Sequence, residues 1–300
     1  VLLIYVVLGG AHADILTDGV QGFIMVGVGV LVAVLFCLGY GVEGGFDGMI
    51  GALGSQDENL VGWLNVTDVL YHSWWAVFAV FLAHVPLGML PHIGNKLWAL
   101  KEPTQRIQFI RLAFVFALIL AMLGFGGIMA RVILGEGIDS NQALALLFID
   151  LFPSWFAALL GVGILAAVMS TADGLVVSSS QIVANDLYRL SFVPRYRKGL
   201  SEEEIERRSL NISRISTVVI MILCTLLAWQ TADMNVTILV WIGVGCMMAA
   251  FAGPLILGSV WSGVTKAGAF AGLLTGGGVY LVTYLGLINP DWFGSGFLQN

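Results

Sequence analysis

Charge is scarce in this 300-residue sequence: 11% of its residues are Asp, Glu, Lys or Arg, against 58% that are hydrophobic. Soluble domains carry roughly 25% charged residues, so the composition is that of a membrane protein. Cysteine is nearly absent, and Cys37, Cys224 and Cys246 each fall inside an apolar stretch. They offer neither a disulfide framework nor metal-ligand spacing, and read as small packing residues. Short alternation of apolar and polar residues is also missing, which excludes a β-barrel and leaves helices as the spanning element. A net charge of −6 argues against a nucleic-acid partner. There is no H-E-x-x-H or G-x-S-x-G motif and no nucleophile–base pair that would mark an enzyme. These residues hold no signal-peptide pattern, and the start of the parent protein is not read from that.

The few charges are segregated. Asp18 to Glu43, Asp68 to Lys96, Arg111 to Arg131, Asp150 to Asp173, Arg214 to Asp233, Asp233 to Lys266 and Lys266 to Asp291 each bracket a charge-free stretch. Each stretch is long enough for the roughly 20 residues that cross about 30 Å of hydrocarbon. Spans are predicted at 19–41, 67–91, 108–132, 154–180, 212–231, 235–259 and 265–287, in an all-α polytopic bundle embedded in a lipid bilayer. Residues 1–9, VLLIYVVLG, are too short to span and read as the tail of a helix whose beginning is missing.

Basic residues cluster in alternate loops. Lys96, Lys101, Arg106 and Arg111 lie in one, and Arg189, Arg195, Arg197, Lys198, Arg207, Arg208 and Arg214 in another. The intervening loops hold Glu43, Asp47, Asp57, Glu58, Glu136, Asp139 and Asp150 with almost no base. The positive-inside rule then makes the basic loops 92–107 and 182–211 cytoplasmic and puts the C-terminal NPDWFGSGFLQN outside. Arg131 breaks the pattern, either by snorkelling to the interface or by attracting an anionic solute.

The loop at 43–65 is Gly-rich and acidic and is predicted to hold short helical pieces. NQALALLFIDLFP, 141–153, is predicted as a helix along the outer surface, ended by Pro153. Ser201 followed by Glu204 in LSEEEIERRS is a capping-box start to a charged helix that feeds the span at 212. Glycine recurs inside spans, in GFGG (124–127), GVG (161–163) and GLLTGGG (272–278). Close helix approach is the default reading, and an unwound hinge the alternative.

The most informative stretch is GVGILAAVMSTADGLVVSSSQIVANDLYR, 161–189. Ala167, Ser170, Thr171, Gly174 and Ser178 share one small, polar helix face. The hydroxyls of Ser170 and Thr171, one turn after the Ala167 carbonyl, are neutral oxygens of the kind a desolvated Na+ accepts. Such hydroxyls also bond back to their own helix carbonyls with no further role. Asp173 is an ionisable residue within a span, which is either functional by default or a water-exposed group near the cytoplasmic mouth.

LAAVMSTADGLVVSSSQIVANDLYR resembles the signature helix of the sodium:solute symporter family. GGAHADILTDGVQG (9–22), LGMLPHIGNKLWALK (87–101) and GPLILGSVWSGVTKAGAFAG (253–272) fit the same family in order and spacing. The resemblance implies a leucine-transporter-like core of two inverted five-helix repeats and Na+-coupled symport of a small solute, with no cofactor beyond the ion. It makes residues 1–300 one N-terminally truncated transporter domain: 19–41 is core helix five, and 67–91 to 235–259 are helices six to ten. It implies that Ala167, Ser170 and Thr171 form the helix-eight half of the cation site, the other half belonging to the first core helix. Asp18 of the T-D-x-x-Q motif is implicated in cation coupling, and Asp173 joins it as a candidate. Taken alone, Asp18 reads as a favourable charge at a positive helix end.

His84, Pro86, Gly88 and Pro91 make the second half of the span at 67–91 a poor regular helix, so a break is predicted there. Substrate in such carriers binds near discontinuous helices, which makes Ala83, His84 and Leu87 candidate pocket residues; His84 reads equally well as bonded to a neighbouring helix. Trp74 and Trp75 read as an interface belt. Rival functions are a symporter-like sensor domain joined to a signalling protein, a membrane enzyme, and a passive channel.

Overall fold

The computed structural model describes residues 2–66, 71–197 and 199–288. Among them every regular element is helical. Helices Asp14–Leu38, Pro103–Ile133, Ser154–Tyr196, Glu202–Gln230, Val236–Val260 and Lys266–Tyr284 are long and apolar enough to cross a membrane. A seventh candidate is the pair Trp74–Gly88 and Pro91–Leu97, bent by 52° at the break. The chain is thus a multi-pass membrane protein. Its exterior agrees, since large apolar side chains such as Phe23, Phe114, Leu226 and Phe270 are exposed along these helices, where hydrocarbon replaces water as the solvent.

The chain divides into two compact units, residues 1–49 with 95–233 and residues 50–94 with 234–300. In the first, α1 (Leu2–Leu38) packs along α8 (Ser154–Gln181) and also meets α5 (Pro103–Ala121), α6 (Gly124–Ile133) and α10 (Glu202–Gln230). Its core joins Val28 and Val32 of α1 to Phe148 of α7 (Ala143–Leu151) and to Ala157 and Leu160 of α8. Close approach needs a glycine: a Cβ on Gly163 would stand 2.6 Å from Val28 Cγ2. Small residues thus let α1 and α8 touch where no hydrophobic effect drives helices together.

The second unit holds α3 (Trp74–His84), α11 (Val236–Val260) and α12 (Lys266–Tyr284). α11 packs on α12 and on the tight turns Val85–Met89 that follow α3. A Cβ on Gly276 would lie 2.1 Å from the Ala249 carbonyl oxygen, so here too glycine is the contact surface. Tyr280 Oη donates to Trp241 O at 3.1 Å.

Several sequence expectations change. Residues 2–9 are not a separate helix end; they continue into α1 without interruption, because helical hydrogen bonding carries through Gly9 and Gly10. The basic segment from 182 is not a loop at its start. Wide π-type turns carry Ile182–Phe192 into a short helix, α9 (Val193–Tyr196), and only then does the chain turn into α10. The rings of Tyr188 and Phe192 stack at 6.0 Å, Tyr196 packs tilted on Phe192 at 5.0 Å, and Ser191 Oγ donates to Asp186 O, five residues back, at 2.7 Å. Cys37 and Cys224 are exposed and Cys246 is half-buried, so two of the three face outward rather than filling a core.

Other expectations agree with the structure. A helix, α2 (Gly45–Gln56), and the turn Glu58–Leu60 occupy the acidic loop. Ser201 caps α10 by accepting from the Glu204 N–H at 3.2 Å, although the Glu204 side chain pairs with Arg208 at 2.6 Å instead of completing the box. The Ser73 side chain caps α3, and Trp74 and Trp75 are exposed in its first turn. Arg131 is ion-paired to Glu136 at 2.5 Å, a partner that neither reading of it named. The C-terminal segment assigned to the outside, 289–300, lies outside the described residues.

Candidate cation site

Two polar groupings sit on α8, one turn apart. In the first, Ser170 Oγ donates to Ala167 O at 3.1 Å and Thr171 Oγ1 to the same oxygen at 3.4 Å. This is the back-bonded arrangement the sequence allows, and it gathers one carbonyl and two hydroxyl oxygens at a single point. Ser170 is half-buried, with Oγ 3.8 Å from Met25 Sδ on α1, and Thr171 is exposed. The grouping is neutral and hard in donor character, as an alkali cation prefers, and too poor in charge for a transition metal.

In the second, Asp173 is fully buried, so the water-exposed reading does not hold. Its Oδ1 accepts from the Gly174 N–H at 2.8 Å. The tight α1–α8 packing brings it beside Asp14 and Asp18, and the three carboxylates offer oxygens within 4.8 Å of one another. Lys96, from α4 (Pro91–Trp98), ion-pairs with Asp18 Oδ2 and lies 3.7 Å from Asp14 Oδ2. Asp18 therefore does not cap a helix end: it lies four turns inside α1 and its charge is met by lysine. Thr17 turns its hydroxyl to Asp14 O at 3.1 Å. Beside Lys96, Asn95 donates to Ser178 Oγ at 3.3 Å and to Gln181 Oε1 at 3.2 Å.

Asp14, Lys96 and Asn95 are the residues that sequence reading missed. Asp14 and Asp18 are four residues apart, hence on one helix face, and that spacing was the available signal. Lys96 looked like another basic loop residue, and only the fold brings its 78-residue separation from Asp18 to contact.

The candidate substrate residues lie in the other unit. The helix breaks where expected: α3 ends at His84 and turns Val85–Met89 follow. The His84 ring bonds through Nδ1 to Val80 O at 2.7 Å and packs edge-on to Trp241 at 5.0 Å. Its polar contact is thus to its own helix, while Ala83 and Leu87 are exposed.

The chain is 28% identical over 292 residues to the sodium/pantothenate symporter of Haemophilus influenzae, covering 95% of this chain and 57% of that protein. It is 25% identical over 300 residues to the sodium/pantothenate symporter of Escherichia coli, covering 98% and 58%. With the sodium/proline symporter of Staphylococcus aureus the identity is 24% over 292 residues, covering 97% and 54%. The chain therefore spans little more than half the length of these relatives. No solved structure matches it significantly. The profile of the sodium:solute symporter family matches residues 1–276, and the chain belongs to that family.

Proposed function

We propose that the protein is a secondary active transporter that couples Na+ movement to uptake of a small solute by alternating access. The observation that carries this reading is the convergence of Ser170 Oγ and Thr171 Oγ1 on the Ala167 carbonyl oxygen. A desolvated Na+ needs several hard, neutral or anionic oxygens, and these three supply part of such a shell. The remaining ligands come from a segment outside this chain. Coupling requires that the ion favour the solute-accepting state over the other, through contacts it makes in only one of them. The carboxylates of Asp173, fully buried one turn along α8, and of Asp18, half-buried beside it on α1, are the coupling groups, with no cofactor required.

The solute is a small carboxylate-bearing molecule of the kind the relatives' names indicate, pantothenate or an amino acid, or a simple monocarboxylate. The helix break after α3 puts Ala83, His84 and Leu87 at a discontinuity, the kind of place where solute sites in such carriers lie. Basic residues in the segments 92–107 and 182–211 support placing these in the cytoplasm, with the protein in the plasma membrane.

The test is uptake by the full-length protein in proteoliposomes, across a panel of pantothenate, proline, acetate and lactate, under imposed Na+, K+ or proton gradients. Accumulation driven by Na+ alone supports the proposal. Indifference of every accumulated solute to Na+ refutes it. Counterflow of labelled solute without any gradient separates a carrier from a channel.

A further inference from the structure

Asp14, Asp18 and Asp173 converge on one place, and Lys96 reaches it as well. One ammonium does not satisfy this cluster. Asp14, only 4% exposed, keeps a buried Oδ1 with no hydrogen-bond partner, and Asp18 Oδ1 is likewise buried and unpartnered. The buried Gln21 Oε1, one turn along α1 from Asp18, also lacks a partner. Buried anionic oxygens without partners are costly, and three carboxylates outnumber the one lysine. The cluster therefore has more capacity to hold a cation than Lys96 uses.

We propose that Lys96 is a tethered competitor of the coupling cation: its ammonium occupies the Asp14, Asp18 and Asp173 cluster in the state described here, and a free monovalent cation reaches those oxygens by displacing it. Exchanging one monovalent cation for another leaves the cluster's charge unchanged, which favours Na+ or Li+ as the displacer over a divalent ion. Lys96 lies on a short helix, α4, in which the neighbouring residue, Asn95, holds α8 by separate hydrogen bonds. The lysine side chain can thus leave while α4 keeps its hold on α8. The cluster is then a switch with two occupants, one tethered and one free. The inference rests on the coupling role given above to Asp18 and Asp173.

The experiment is binding of radioactive Na+ to the purified full-length protein in nanodiscs. Lys96→Met, Lys96→Arg and the pair Lys96→Met with Asp14→Asn are each made in wild type and in a Ser170→Ala/Thr171→Ala background. A competitor that holds the cluster about nine-tenths of the time weakens apparent affinity about tenfold. Lys96→Met in the background without the two hydroxyls is thus expected to bind Na+ about tenfold more tightly than its parent, and Lys96→Arg to bind as the parent does. Removing lysine leaves buried carboxylates unmatched and can unfold the protein. The Lys96→Met/Asp14→Asn pair keeps the same balance of charges and is expected to bind more tightly than the parent too. Unchanged or weaker binding in the folded Lys96 variants overturns the proposal. Failure of the hydroxyl site is a separate outcome: there, Ser170→Ala/Thr171→Ala leaves wild-type Na+ binding unaltered whatever the Lys96 variants do.

Discussion

Thr171→Ala separates a cation ligand from a merely structural hydroxyl. Thr171 is exposed, and its only described side-chain bond is a 3.4 Å back-bond to Ala167 O. Removing it leaves no buried group unpaired, so stability is expected to change by no more than about 0.5 kcal/mol, as at ordinary surface positions. A ligand oxygen lost from a cation is a different matter. By analogy with hydrogen bonds to charged groups, it costs about 1.5–3 kcal/mol. At 1.4 kcal/mol per tenfold, that raises the half-saturating Na+ concentration about ten- to one-hundred-fold. The assay is solute uptake by the full-length protein against Na+ concentration, with abundance and melting temperature measured on the same preparation. Thr171→Ser, which keeps the oxygen, is expected to stay near wild type. Ser170→Ala is expected to follow Thr171→Ala, with a further small stability loss because Ser170 is half-buried. Unchanged Na+ activation in both alanine variants would refute the assignment of the hydroxyl pair to the ion.

Gly276→Ala places a Cβ 2.1 Å from a backbone oxygen of α11, whereas a Cβ on Gly278 meets nothing within 4 Å. The first is expected to cost about 1–3 kcal/mol, the overpacking range, and to lower the melting temperature, while Gly278→Ala leaves it unchanged; equal melting temperatures would count against the α11–α12 contact. Asn95→Ala removes two hydrogen bonds to α8, worth about 1 kcal/mol each, and hydrogen exchange at the end of α8 should quicken without loss of the fold. Ser201→Ala removes the N-cap of α10, costing about 1 kcal/mol, and is expected to speed exchange in that helix's first turn, with Ser201→Asp restoring it.

The helices were legible because charge and apolar length are local. Each charge-free stretch except Asp68 to Lys96 contains or borders a long helix, and there Pro86 with Pro91 marked the break after α3 that the structure bends by 52°. Ser201 and Glu204 marked the start of α10 for the same reason: a cap is a three-residue device. The hydroxyl pair was legible as a helix face, since its spacing alone aligns Ser170 and Thr171 with Ala167. What surrounds Asp18 was not. Its charge looked inexpensive at a helix start, but α1 begins sixteen residues earlier and puts it beside Asp173 and Lys96. Such encounters depend on which small residues let α1 and α8 touch, and Gly163 against Val28 decides that only in three dimensions. Continuation of helix past residue 182 was hidden because polar Asn185 and Asp186 resemble a loop, while the aromatic ladder Tyr188, Phe192 and Tyr196 that accompanies it becomes visible only once the turns are built.

Sodium coupling is the central claim, and it is tested most directly in proteoliposomes holding the full-length protein, loaded with K+ and diluted into Na+ medium containing labelled solute. The expected result is accumulation above equilibrium that collapses when a Na+ ionophore dissipates the gradient and that Thr171→Ala shifts to higher Na+. Equal uptake of that solute in Na+ and K+ media, with or without the ionophore, would contradict it.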